Sequence, residues 1–135
     1  MAREILVRDN LTDDMISVGE VLLNTLDKND AQVSSTFWLY DPEERVWRLF
    51  FASELVKSEG PRKYYKKVLD ALKDINDKEL TLSLSDISVT DNSDKMLQAL
   101  TNVCDKREHI SKERISREAI NGQFIEDAFI YRINL

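Results

Sequence analysis

Cysteine and histidine are almost missing from this chain. With one of each, Cys104 and His109, it cannot close an internal disulfide, which fits a reducing cytosol. A structural zinc site within one copy is nearly excluded, because such sites take four Cys or His ligands. Glycine is equally scarce, at three residues, and no glycine-rich phosphate loop is present. No apolar run approaches the roughly 18 residues of a membrane span. The segment Met1 to Asn10 is too polar for a secretory signal. Acids outnumber bases 25 to 19, for a net charge of −6. That balance argues against general nucleic-acid affinity, although a local patch can override it. These absences lead to an expected cytoplasmic protein with no cofactor, no metal and no membrane contact.

What is present points to one α+β domain spanning residues 1–135, a common domain size of about 100–150 residues. The expected architecture is a mostly antiparallel sheet of about five strands, with two hairpins and three helices. Arg3 to Val7 reads as a short strand or an arm. Asn10 or Thr12 caps a first helix with the stripe Met15, Val18, Leu22 and Leu26. Gln32 to Tyr40 and Arg45 to Ser53 are strands joined by Asp41-Pro42-Glu43-Glu44, which suits a type I turn. Gly60-Pro61 opens a second helix with the stripe Tyr65, Val68, Leu69, Leu72 and Ile75, ending near Asn76-Asp77. Leu80 to Val89 alternates as a strand whose register can break at Ser85-Asp86. Asn92 or Ser93 caps a third helix carrying Met96, Leu97, Leu100, Val103 and Cys104. Asn121-Gly122 is the strongest hairpin signal in the chain. It sets Ile120 against Gln123, Ala119 against Phe124, Arg117 against Glu126 and Arg114 against Phe129.

The first hairpin is the organising element. It holds both tryptophans, and alternation puts Trp38 and Tyr40 on one face, Phe37 and Leu39 on the other. A pair apolar on both faces must be covered twice, or one face must meet a partner. Trp, Tyr and Arg anchor interfaces. Trp38, Tyr40, Trp47 and Phe51 are therefore the expected interface residues of a homo-oligomer, in the first instance a dimer, or of a complex with a protein partner.

Two further clusters could carry chemistry. Residues 57–67 hold five bases against one acid. Gly60, Arg62, Lys63, Lys66 and Lys67 would offer a helix N-terminus and positive charge to an anion such as a phosphate-bearing ligand, a nucleotide or a nucleic acid. Tyr64, off the main stripe, could stack on a base. The acids Asp86, Glu118, Glu126 and Asp127 lie near or within predicted strands, as in metal-dependent hydrolases, with Asp86 and Asp127 the pair for that reading. Asp127 is expected among Ile125, Phe129 and Tyr131, with Ser116 opposite as a hydrogen-bond donor. His109 has no nucleophile beside it, and Cys104 ends an apolar stripe. No catalytic residue is assigned, and an interaction module is the preferred reading.

Overall fold

A computed structural model describes residues 3–4, 7, 9–75, 80–104 and 110–135, the first two by backbone alone. The loop histidine His109, with Arg107 and Glu108, lies outside the described residues, as do Asn76 and Asp77. The elements run β1 (Arg3–Glu4), α1 (Asp13–Lys28), β2 (Ser35–Asp41), β3 (Val46–Ala52), α2 (Glu54–Glu59), α3 (Pro61–Asp74), β4 (Leu80–Thr81), β5 (Ile87–Thr90), α4 (Lys95–Leu100), β6 (Glu113–Ile120) and β7 (Gln123–Ile133). Five strands form one sheet in the order β5-β3-β2-β7-β6. Only the β3–β5 pair is parallel. A parallel pair needs a crossover, and α2 and α3 supply it. β1 and β4 pair separately, in parallel.

The doubly apolar hairpin takes the central position its sequence demands. Trp38, Trp47, Leu49 and Phe51 face a core built with Met15, Val18, Leu22 and Leu26 of α1 and Tyr64, Val68 and Leu72 of α3. Phe37, Leu39 and Phe50 face the other way, toward Leu97 and Leu100 of α4 and Ile125, Ala128 and Ile130 of β7. Phe37 and Phe50 stack, 5.1 Å apart and nearly parallel. The two faces are not covered equally. The first has two helices of 16 and 14 residues, whereas α4 on the second has six.

Several expectations need correction. The described residues form four α-helices, because α2 precedes Gly60; its six residues bury only Val56, too little for a periodic signal. The buried stripe of α3 is Tyr64, Val68, Ala71 and Leu72, with Leu69 37% exposed. Tyr64 is therefore a core residue whose hydroxyl donates to the Ala31 carbonyl at 3.1 Å, not a base-stacking platform. Leu80 to Val89 is not one strand; a 3-10 turn at Leu84–Asp86 separates β4 from β5. Thr12 caps α1, but Asp94 caps α4, accepting from the Leu97 N–H. The β2–β3 turn closes one residue later than a type I turn would, through Arg45 N–H to Asp41 carbonyl at 2.7 Å, with Arg45 at φ +58°.

One buried network ties the sheet to α1. The Trp38 Nε1–H donates to the Tyr131 hydroxyl at 3.0 Å, and that hydroxyl donates to the Ile16 carbonyl at 2.6 Å. Burial pushes the Tyr131 phenol well above its ordinary pKa, despite the Trp38 donor. It stays a neutral donor throughout the physiological range. Gly19 sits directly above; a Cβ there would lie 2.2 Å from the Tyr131 hydroxyl oxygen.

Candidate functional site

The four aromatic residues expected at an interface divide. Trp38 and Phe51 are fully buried within the chain and Trp47 is 2% exposed, while Tyr40 is half-buried. The helices α1 and α3 cover this face, so three of the four side chains are spent on the chain's own core.

Trp47 and Tyr40 nevertheless border a cleft of about 410 Å³. Their rings are 5.5 Å apart and tilted 56°. Asp9 stands at one side, its carbonyl accepting the Trp47 Nε1–H at 2.9 Å and its carboxylate 3.5 Å from Arg45. The opposite wall is the β6–β7 hairpin, through Ser116, Arg117, Glu126 and Asp127. The Asn121-Gly122 register holds: Ile120 pairs with Gln123, Ala119 with Phe124, Ser116 with Asp127 and Arg114 with Phe129. The expected Arg117–Glu126 pair does not form. Arg117 adopts φ +54° and drops out of the ladder. Alternation slips beside it: Ile125 and Ala128, three residues apart, both lie in the second core, while Phe129 and Tyr131 face the first. Asp127 therefore does not share its face with Ile125.

Asp127 is a satisfied acid. The Arg114 guanidinium grips it with two hydrogen bonds, 2.9 and 2.6 Å, and the Ser116 hydroxyl donates a third at 2.9 Å. Arg114 also lies 5.6 Å from the centre of the Trp47 ring, a cation–π distance. Partial burial would raise the Asp127 carboxyl, but the bonds from Arg114 and Ser116 outweigh it and hold the pKa below the ordinary value. A depressed folded-state pKa stabilises fully above the unfolded value and is lost as pH falls through the folded value. Asp127→Asn should therefore keep the fold and cost about 1 kcal/mol at neutral pH, since Arg114 is half-exposed. The gap between parent and variant should close in acid, which urea melts at stepped pH would record. A gap that widened in acid would contradict this assignment.

The hydrolase pairing is not assembled. Asp86 adjoins β5 and Asp127 lies on β7, with β3 and β2 between them. Three strand spacings amount to about 14 Å. Among the described residues no group of three acids, histidines or cysteines could hold a metal ion.

The basic cluster is partly assembled. Lys63, Lys66 and Lys67 border a groove of about 390 Å³, but Glu59 and Asp70 border it too. Gly60 does stand at the start of α3, at φ +92°, yet its N–H already donates to the Val56 carbonyl at 3.0 Å. Arg62 is exposed and does not line the groove. Acids alternating with the lysines weaken any field an incoming anion would feel.

A further surface was not singled out from the sequence. On the thinly covered sheet face, Leu39, Pro42, Phe50, Met96 and Phe124 border a mainly apolar groove of about 200 Å³, which Asp41 and Arg48 also line. Phe124 is 57% exposed, the most exposed large apolar side chain among the described residues. Its place beside the Asn121-Gly122 turn was legible; its exposure was not. Compared with protein-family models, curated proteins and solved structures, the chain has no match.

Proposed function

We propose that this protein is an interaction module that self-associates through the sheet face bearing Phe124. The observation that carries the reading is a knob beside a hole. Phe124, more than half exposed, lines a groove together with Leu39, Phe50 and Met96, with Asp41 and Arg48 also at its border. A two-fold contact presents the same patch from both copies, so each Phe124 can fill the other copy's groove. Covering a phenylalanine contributes about 1.5–3 kcal/mol, and the symmetric contact covers two. Association costs offset much of that, so the expected dimer is weak, with Kd in the range of about 10 μM to 1 mM. This moves the interaction surface from the buried Trp38, Trp47 and Phe51 to the opposite face of the same hairpin. The single cysteine supports a cytoplasmic setting, and no described helix is long and apolar enough to cross a membrane.

Sedimentation velocity across a concentration series tests the reading. The parent should shift toward a dimer with rising concentration. Phe124→Ser should remain monomeric with stability changed by no more than about 0.5 kcal/mol, as for other surface substitutions. A parent monomeric to about 1 mM, or a Phe124→Ser variant that dimerises equally, would overturn it.

A further inference from the structure

The cleft between Tyr40 and the β6–β7 hairpin is a different surface, and its charges are arranged unusually. Its volume of about 410 Å³ falls within the range of small-molecule sites, about 300–1,000 Å³. Four charges at or beside it are already paired, Asp127 with Arg114 and Asp9 with Arg45. Two charges remain. Arg117 and Glu126 line the cleft, and neither forms an ion pair among the described residues.

That they do not neutralise each other has a structural cause. Counting from the turn places them opposite, where opposite charges ordinarily pair. The left-handed backbone at Arg117 removes it from the ladder instead. Six described non-glycine residues have positive φ, and the other five lie in turns or loops; Arg117 alone lies inside a strand. Such a conformation costs on the order of 1–3 kcal/mol, and such strain clusters at binding sites. Here it accompanies a cation and an anion left unpaired on one wall of a cleft whose other side is the half-buried Tyr40 ring.

We infer that this cleft binds a free aromatic α-amino acid, a zwitterion whose carboxylate pairs with Arg117 and whose ammonium pairs with Glu126. A guanidinium presents a fork that matches a carboxylate with two parallel hydrogen bonds. A carboxylate accepts from an ammonium. The Tyr40 ring gives the aromatic side chain an offset or edge-on neighbour. Asp127 and Arg114 hold the wall rather than the ligand, because their hydrogen bonds are already made to each other. The site does not depend on Phe124, so it stands or falls separately from self-association.

The test is titration of the 15N-labelled protein with L-phenylalanine, followed by backbone amide shifts. Saturable shifts at Tyr40, Ser116, Arg117 and Glu126 are expected by about 10 mM. Two analogues serve as controls: phenethylamine lacks the carboxylate and 3-phenylpropanoate lacks the ammonium. Each should bind at least about tenfold more weakly, since each leaves one charge unpaired. Arg117→Gly provides a readout that a structural role would not give. Glycine adopts positive φ without strain, so this variant should melt at or above the parent's temperature while losing the L-phenylalanine shifts. Glu126→Gln should bind L-phenylalanine more weakly than the parent does, and 3-phenylpropanoate at least as well. Absence of saturable shifts, equal binding of the three compounds, or an Arg117→Gly variant that binds like the parent would each overturn the inference.

Discussion

Trp38→Ala should cost about 3–5 kcal/mol, the range for removing a large aromatic side chain from a core. Trp38 is fully buried on β2, the strand with neighbours on both sides in the centre of the sheet. Its loss opens a cavity against α1 and removes the donor to the Tyr131 hydroxyl. For a domain of this size the melting temperature should fall by roughly 10–20 °C. Trp38→Phe separates the two contributions. It keeps most of the apolar volume and loses only the Nε1–H, so about 1 kcal/mol of hydrogen bonding should go with it. The sequence reading of Trp38 as an interface anchor makes the opposite prediction, an unchanged melting temperature with lost association. Chemical denaturation of the three proteins decides between them.

Gly19→Ala should be the second large effect, and its sign runs against helix propensity. In the middle of an exposed helix, Gly to Ala stabilises by about 1 kcal/mol. At Gly19 the new Cβ would stand 2.2 Å from the Tyr131 hydroxyl oxygen, 2.9 Å from its Cζ and 3.1 Å from Trp38 Nε1. The tyrosine ring cannot swing aside without breaking its bonds to Trp38 and Ile16. Overpacking of this kind costs about 1–3 kcal/mol, and the strained hydroxyl adds a lost hydrogen bond of about 1 kcal/mol. A net loss of about 2–3 kcal/mol is expected. Tyr131→Phe removes the oxygen that clashes. In that background Gly19→Ala should cost little, giving a coupling of more than about 1 kcal/mol between two residues in direct contact. Additive losses would show that the contact does not decide the fate of Gly19.

Much of this fold is legible because local chemistry and global position agree. Asn121-Gly122 sets a two-residue turn, and the β6–β7 register follows from it residue by residue. Asp41 caps its own turn through bonds from Glu43 and Glu44 N–H, as aspartate at a turn start does. Two aromatic faces on one hairpin announce a central strand pair. Where legibility fails, the cause is a choice among local equals or a fact of assembly. Asp91-Asn92-Ser93-Asp94 contains four residues that can cap a helix, and sequence does not rank them. The alternation Leu80, Leu82, Leu84 continues through a turn that Ser83 closes with its own hydroxyl.

The sites fail for a deeper reason. Whether Trp47 faces a partner or a helix depends on which helix folds over which side of the sheet, and no local pattern encodes that. The Ser116–Asp127 bond follows from register and was visible. The Arg114 clamp on Asp127 is diagonal, reaching from the residue paired with Phe129, so counting across the ladder does not find it. The left-handed backbone at Arg117 has no sequence signal at all, because arginine is not a residue that ordinarily takes it.

The most direct test of self-association through the Phe124 face is an isotope-filtered NOE experiment on a mixture of labelled and unlabelled protein at high concentration. Contacts between the Phe124 ring of one copy and the Phe50 and Met96 side chains of the other are the predicted result. Intermolecular contacts confined to other surfaces, or none with the protein tumbling as a monomer, would contradict it.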